Sequence, residues 1–169
     1  LGRLLQEVGG EGGEVIRLAR ASGNPQATID AAVDAAFLAY GTRYEYDAAG
    51  RRTKATEATG KVTLYYYDKP GRLRYLVTSA SNIAEGEVTE TMYNPLGDIV
   101  GVKQYANRVS MSGLTAGGTP PSPTADAVAD RVIGNEYFKT GLLKKFTDAE
   151  THVVQYAYSA FGQLTGQIT

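Results

Sequence analysis

A short pattern, Tyr-x-Tyr-Asp-x-x-Gly-Arg-x, recurs along this chain and constrains its fold more than any other feature. Near-complete copies read YEYDAAGRR from Tyr44 to Arg52 and YYYDKPGRL from Tyr65 to Leu73. Degenerate copies read TMYNPLGDI from Thr91, NEYFKTGLL from Asn135 and YAYSAFGQL from Tyr156, and a partial copy, LGRLL, opens the chain at Leu1. A turn repeated with its flanking aromatics predicts an array of β-hairpins in which neighbouring repeats supply one another's core. Registered on Gly50, Gly71, Gly97, Gly141 and Gly162, the copies stand 21, 26, 44 and 21 residues apart. The long interval is near two periods, which leaves room for a decayed copy or an insertion.

The residues of one unit read as a hairpin. Tyr44 and Tyr46, Tyr65 and Tyr67, and Tyr156 and Tyr158 are two apart and share a strand face. Asp47 to Gly50 reads as a type I turn, with the carboxylate capping backbone N–H groups and Gly50 in the left-handed position of a bulged three-residue loop. Asn94-Pro95-Leu96-Gly97 fits this turn well. Asp68-Lys69-Pro70-Gly71 places proline third, where type I geometry disfavours it, so a different local turn is expected there. On the returning strand Leu73, Tyr75 and Val77 oppose Arg72, Arg74 and Leu76; on the approaching one Val62, Leu64 and Tyr66 oppose Thr63, Tyr65 and Tyr67. Large side chains on both faces predict a sheet covered on each side, or one whose Tyr faces stack on the next hairpin.

Composition agrees with turns and strands. Glycine accounts for 20 of 169 residues and tyrosine for 12 of the aromatics. The 17 basic and 18 acidic residues leave a net charge of −1, which gives no footprint for nucleic acid or an anionic membrane. The absence of cysteine excludes a disulfide-stapled mini-domain and thiol catalysis. No apolar run approaches the roughly 20 residues of a membrane helix. The chain opens in the second half of a repeat unit, so a piece of a longer polypeptide is expected, with any export signal outside it.

The repeats resemble those of the RHS/YD-repeat proteins of bacterial polymorphic toxins, of the C component of Tc toxin complexes, and of teneurins. The family pattern, Gly-x-x-x-x-Tyr-x-Tyr-Asp-x-x-Gly-Arg-Leu, is matched almost completely from Gly60 to Leu73. Tyr44, Tyr46, Asp47, Gly50 and Arg51 match it too, and Tyr93, Asn94 and Gly97 match loosely. Phe138 and Ser159 replace the Asp in the last two copies. The resemblance implies a strip of hairpins spiralling into a hollow shell around a C-terminal effector in the toxins, or an adhesion scaffold in teneurins. The Asp-Pro-x-Gly segment that serves self-cleavage in toxin relatives does not occur in this sequence, so neither that protease nor an effector is assigned here.

Two stretches leave the period. Asn24 to Tyr40 predicts an amphipathic helix capped by Thr28, with Ile29, Val33, Phe37 and Tyr40 on one face and Asp30 and Asp34 near its start. It would pack on the sheet or offer a docking surface. Ser110 to Thr124 is rich in Gly, Ser, Thr and Pro and reads as a loop, stiffened by Pro120, Pro121 and Pro123; Ala125 to Val132 is expected to add a helical turn or two. The domain reading is a partial repeat over 1–23, an inserted helix over 24–42, YD repeats over 43–109, a Gly/Pro/Ser-rich insertion over 110–132, and degenerate YD repeats over 133–169. The fold class is mainly β: tandem hairpins forming part of a coiling sheet or hollow shell.

A search for chemistry finds little. His152 is the lone histidine, there is no zinc pattern, and GGEGG from Gly9 to Gly13 lacks the Lys-Ser/Thr of a phosphate loop and reads as a loose turn. Asp47 and Asp68 recur as turn residues, and their replacement elsewhere marks an architectural position. We assign no catalytic, cofactor or metal residue, and expect no enzyme and no cofactor. The expected role is a wall segment of a bacterial secreted or surface-associated shell that encapsulates a toxic C-terminal polypeptide. Its partners would be the rest of that shell, the effector and toxin-complex components, without nucleic acid or membrane insertion. The alternative is an adhesion or carbohydrate-binding repeat protein, because Tyr-rich faces also bind sugars.

Overall fold

The computed structural model describes residues 3–80 and 84–169; Leu1 and Gly2 of the partial copy lie outside them. The elements run β1 (Gln6–Glu7), α1 (Gly10–Ala21), α2 (Gln26–Tyr40), β2 (Thr42–Tyr46), β3 (Arg52–Glu57), β4 (Val62–Tyr67), β5 (Leu73–Ser79) and β6 (Glu85–Tyr93). They continue with β7 (Ile99–Gln104), β8 (Val109–Ser110), β9 (Arg131–Tyr137), β10 (Leu143–Thr147), β11 (Val153–Tyr158) and β12 (Leu164–Ile168). The strands pair in the order β1-β2-β3-β4-β5-β6-β7-β9-β10-β11-β12, with β8 on β6. The architecture is mainly β: a large sheet of tandem hairpins with short helical insertions. The long interval between repeats is an insertion, since β7 pairs directly with β9 in the register Gly101 to Gly134.

Hairpin geometry follows from the turn residues. The N–H of the first turn residue donates to the carbonyl four residues on, and the fourth N–H donates back to the first carbonyl. This pair of bonds recurs in the turns led by Asp47, Glu57, Asp68, Asn94, Phe138, Asp148 and Ser159. The bulge follows: the register slips between Glu45 and Tyr46, between Met92 and Tyr93, and between Ala157 and Tyr158. The Asp68 turn corrects the expectation of a different local form. It has the same two bonds, each at 2.9 Å, and Gly71 at φ 91°. Proline in the third place forgoes only the N–H that Leu96, Glu150 and Phe161 donate to the leading side chain of their turns; the two backbone bonds that close the turn come from other residues.

Thr151 fills the left-handed slot of the Asp148 turn at φ 70°, the one non-glycine residue at positive φ among the described residues. A β-branched side chain is strained in that conformation. Thr151→Gly is expected to stabilise the chain by about 1 kcal/mol, measured as a rise in the urea midpoint with an unchanged slope; an unchanged midpoint would remove the strain.

The chain divides into two compact units. The first takes its described residues from Leu1–Tyr66, Val77–Gly86 and Ser110–Thr119, and its core holds Ile16, Ala36, Ala55, Leu64, Tyr66 and Val77. The second takes Tyr67–Leu76, Glu87–Val109 and Pro120–Thr169. Val88 is fully buried there, and the strands from β9 onward hold no buried residue.

Two expectations are corrected in the irregular parts. GGEGG is no loose turn: Gly10 to Gly13 open α1, inside the stretch read as a partial repeat. The following Glu-Val-Ile-Arg-Leu-Ala-Arg run carries the helix, with Ile16 buried and Arg17 paired to Glu14 at 2.6 Å. Glycine's cost in a helix is backbone entropy and not a lost bond, and the packing of the residues that follow offsets it. A Cβ at Gly12 would lie 2.5 Å from the Tyr40 Cβ, so glycine lets α1 approach α2. The second helix starts at Gln26 behind Pro25, not at Thr28; the N–H groups of Thr28 and Ile29 both donate to the Pro25 carbonyl. Its inner face is Ile29, Ala32, Val33, Ala36 and Phe37, while Tyr40 is exposed. Ala125 to Val132 holds one helical turn, closed by the Asp130 N–H on the Asp126 carbonyl at 3.0 Å. Asp126 Oδ1 caps it through the N–H groups of Val128 and Ala129, and Arg131 and Val132 already belong to β9.

Candidate functional site

The repeated residues converge on a clasp between one hairpin and the next. In the Asp68 turn, Asp68 Oδ1 accepts the Arg72 backbone N–H at 2.8 Å and Oδ2 accepts Arg72 Nε at 2.7 Å. The guanidinium, so oriented, donates from Nη1 to the Asn94 carbonyl of the next turn at 3.2 Å. It also lies 4.4 Å from the centre of the Tyr93 ring. Tyr93 returns the contact, its hydroxyl donating to the Leu73 carbonyl at 2.9 Å. Both charged and aromatic groups of the motif thus join one copy to the following one.

The same arrangement recurs. Arg3 donates to the Asp47 carbonyl at 3.2 Å and lies 5.9 Å from the Tyr46 ring centre, while the Tyr46 hydroxyl donates to the Leu4 carbonyl at 2.6 Å. Arg3 and Leu4 therefore occupy the Arg and following positions of the partial copy. Asp47 binds Arg51 through both carboxylate oxygens, at 2.9 and 2.7 Å. Asn94 and Asp98 hold the third turn with exchanged chemistry, Asn94 Nδ2 donating to Asp98 Oδ2 at 2.8 Å. Tyr137 donates to the Ile99 carbonyl at 2.9 Å. His152 stands in the Arg place of the Asp148 turn. Its Nδ1 lies 2.9 Å from Asp148 Oδ2 and its side chain is 78% exposed.

The electrostatics are those of held turns. The Arg51 backbone N–H, with the Arg51 guanidinium, keeps the Asp47 carboxyl below its ordinary 3.8. Burial pushes the Asp68 carboxyl up, but the Arg72 N–H and guanidinium outweigh it and leave it below 3.8. Asp148 behaves alike, with His152 outweighing burial. Because the folded values are depressed, this stabilisation is present above the unfolded pKa and is lost as pH falls through the folded one. The melting temperature is expected to drop below pH 3.8, and less steeply in Asp68→Asn. Parallel pH profiles in the two proteins would contradict the role of Asp68.

A second polar cluster lies in β5–β7. Glu90, 6% exposed, accepts from Arg74 Nη2 and from the Tyr105 hydroxyl, each at 2.5 Å. Burial first, and Glu90 second, push the Tyr105 hydroxyl far up, so it stays protonated and donating. Lys103 lies 4.6 Å from the Tyr105 ring centre and binds Asp130 at 2.7 Å. Asp130 also takes the N–H groups of Ala106 and Asp126, which ties the inserted loop to β7. Each of these groups is engaged by a neighbour. Among the described residues no three His, Cys, Asp or Glu side chains are grouped to hold a metal ion. Asp30 and Asp34 stand on exposed positions of α2.

With this geometry in view, comparison with known proteins adds the repeat itself. Residues 40–62 match the family model described as RHS Repeat. The match spans the end of α2, the Asp47 turn and the Glu57 turn, and so includes Tyr44, Tyr46, Asp47, Gly50 and Arg51. Solved structures similar to the chain include a complex of TcdB2, TccC3 and Cdc42, at 19% identity and a TM-score of 0.38, over 75% of this chain and 8% of that one. Another is the Tc holotoxin pore of Photorhabdus luminescens with a mutation in TccC3, at 20% identity and a TM-score of 0.39, again over 75% and 8%. The chain therefore spans a small fraction of the length of these structures. No curated protein matches its sequence. Among the described residues no helix is long and apolar enough to cross a membrane.

Proposed function

We propose that this chain is a wall segment of an RHS-repeat shell, which holds a toxic C-terminal polypeptide apart from its surroundings until delivery. The observation that carries this reading is the clasp. The Asp, Gly, Arg and Tyr that define the repeat are engaged in joining turn to turn and strand to strand, and the RHS Repeat match covers such a turn. A wall works by steric exclusion, so it needs a continuous sheet in fixed register and no reacting group. Its partners are the flanking repeats, the enclosed polypeptide and the components of a toxin complex, and its setting is a bacterial secreted or surface-associated assembly.

Cryo-electron microscopy of the polypeptide that carries this sequence tests the proposal. A closed β-wall with polypeptide density inside is the expected image. A wall without an enclosed space would refute sequestration and turn attention to an outer, adhesive surface.

A further inference from the structure

The clasp is absent between the turns led by Phe138 and Ser159. Phe138 stands in the Asp place and Leu142 in the Arg place. Leu142 follows the arginine path: its Cδ1 lies 3.8 Å from the point where Gly162 would carry a Cβ, as Arg72 Nη1 lies 3.9 Å from that point at Gly97. A leucine is shorter and has no donor. Among the described residues the Ser159 carbonyl therefore receives the Gly162 N–H alone, where the Asn94 carbonyl receives both Gly97 N–H and Arg72. Tyr158 meets the Phe138 ring edge-on, centroids 6.1 Å apart, in place of a guanidinium.

The outcome is an open groove of about 630 Å³, within the size range of ligand pockets. Phe138, Leu142 and Tyr158 give it apolar walls, and Lys139 is the single charged residue in its lining. Phe138 is 38% exposed, and the neighbouring Phe161 is 92% exposed. Lys139 forms no ion pair among the described residues, in contrast to Lys144 and Lys145, which share Glu136.

We propose that this groove docks an extended peptide segment that places a large apolar side chain beside a carboxylate. The apolar walls would bury the side chain. Lys139 selects the acid, since the lining holds a cation and no anion. The Ser159 carbonyl and the Tyr158 hydroxyl are left to orient the peptide backbone. The inference depends on the residues of the two turns and not on the shell reading above.

Fluorescence polarisation on the full chain tests it with three labelled peptides of one length, centred on Asp-Phe-Asp, Lys-Phe-Lys and Asp-Ser-Asp. The first is expected to bind saturably. The second should bind about fivefold more weakly, through the reversed charge, and the third at least about tenfold more weakly, through the lost apolar burial. Equal binding of the three, or no saturable binding of the first at millimolar concentration, overturns the proposal. The double variant Phe138→Asp/Leu142→Arg rebuilds the clasp and is expected to abolish binding; binding retained by the folded variant overturns the proposal. Should circular dichroism show that variant unfolded, Lys139→Glu decides, with the preference expected to invert toward the Lys-Phe-Lys peptide. An uninverted preference overturns the assignment.

Discussion

Tyr66→Ala is expected to destabilise the chain by about 3–5 kcal/mol, the range for truncating a buried large aromatic. Tyr66 is 2% exposed beside a core that includes Leu64 and Val77. Its hydroxyl is buried without a hydrogen-bond partner among the described residues, and burial pushes its pKa up. That oxygen is a burden on the folded state, so Tyr66→Phe is expected to stabilise by about 1 kcal/mol. Opposite signs for the two substitutions in urea denaturation separate the ring, which packs, from the hydroxyl, which does not. A loss in Tyr66→Phe would show that the oxygen is bound after all.

The second large effect is expected at Arg72. Arg72→Ala removes the bond to the Asn94 carbonyl and the contact with the Tyr93 ring, a loss of about 2 kcal/mol before any share from Asp68. Arg72→Lys is expected to recover only part of it. A lysine has no planar fork to bind Asp68 with two nitrogens while also reaching the next turn. A lysine variant as stable as the parent would reduce the clasp to a point charge.

The hairpins were legible because their turn chemistry is local. Asp47, Gly50 and the Tyr pair lie within a few residues of one another, and each has a conformational preference that names the turn. The bulges and the left-handed glycines were read on the same basis. The Asp148 turn was missed because Thr151 sits where the pattern calls for glycine, and His152 sits where it calls for arginine. The start of α1 was missed because Gly10, Gly12 and Gly13 speak for a turn; the decisive fact is the close approach of Tyr40 to Gly12, which is tertiary. Sequence reasoning also left the motif arginine without a task. Its partners, Asn94 and Tyr93, lie in the following repeat, and only the pairing of hairpins brings them to Arg72. A usable signal was present: arginine follows glycine in each copy that has Asp at the turn start, and both are replaced where Phe138 takes that place. The tie from Asp130 to Lys103 was hidden for the same reason, since the loop between them has no period to read.

If the Arg–Tyr clasp holds successive repeats in register, Arg72 and Tyr93 are coupled in a double-mutant cycle. Arg72→Ala, Tyr93→Leu and the double variant would be compared in equilibrium urea denaturation. A coupling of about 1 kcal/mol between the two positions is expected. Losses that simply add, within about 0.3 kcal/mol, would contradict the clasp and leave the two residues as independent packing.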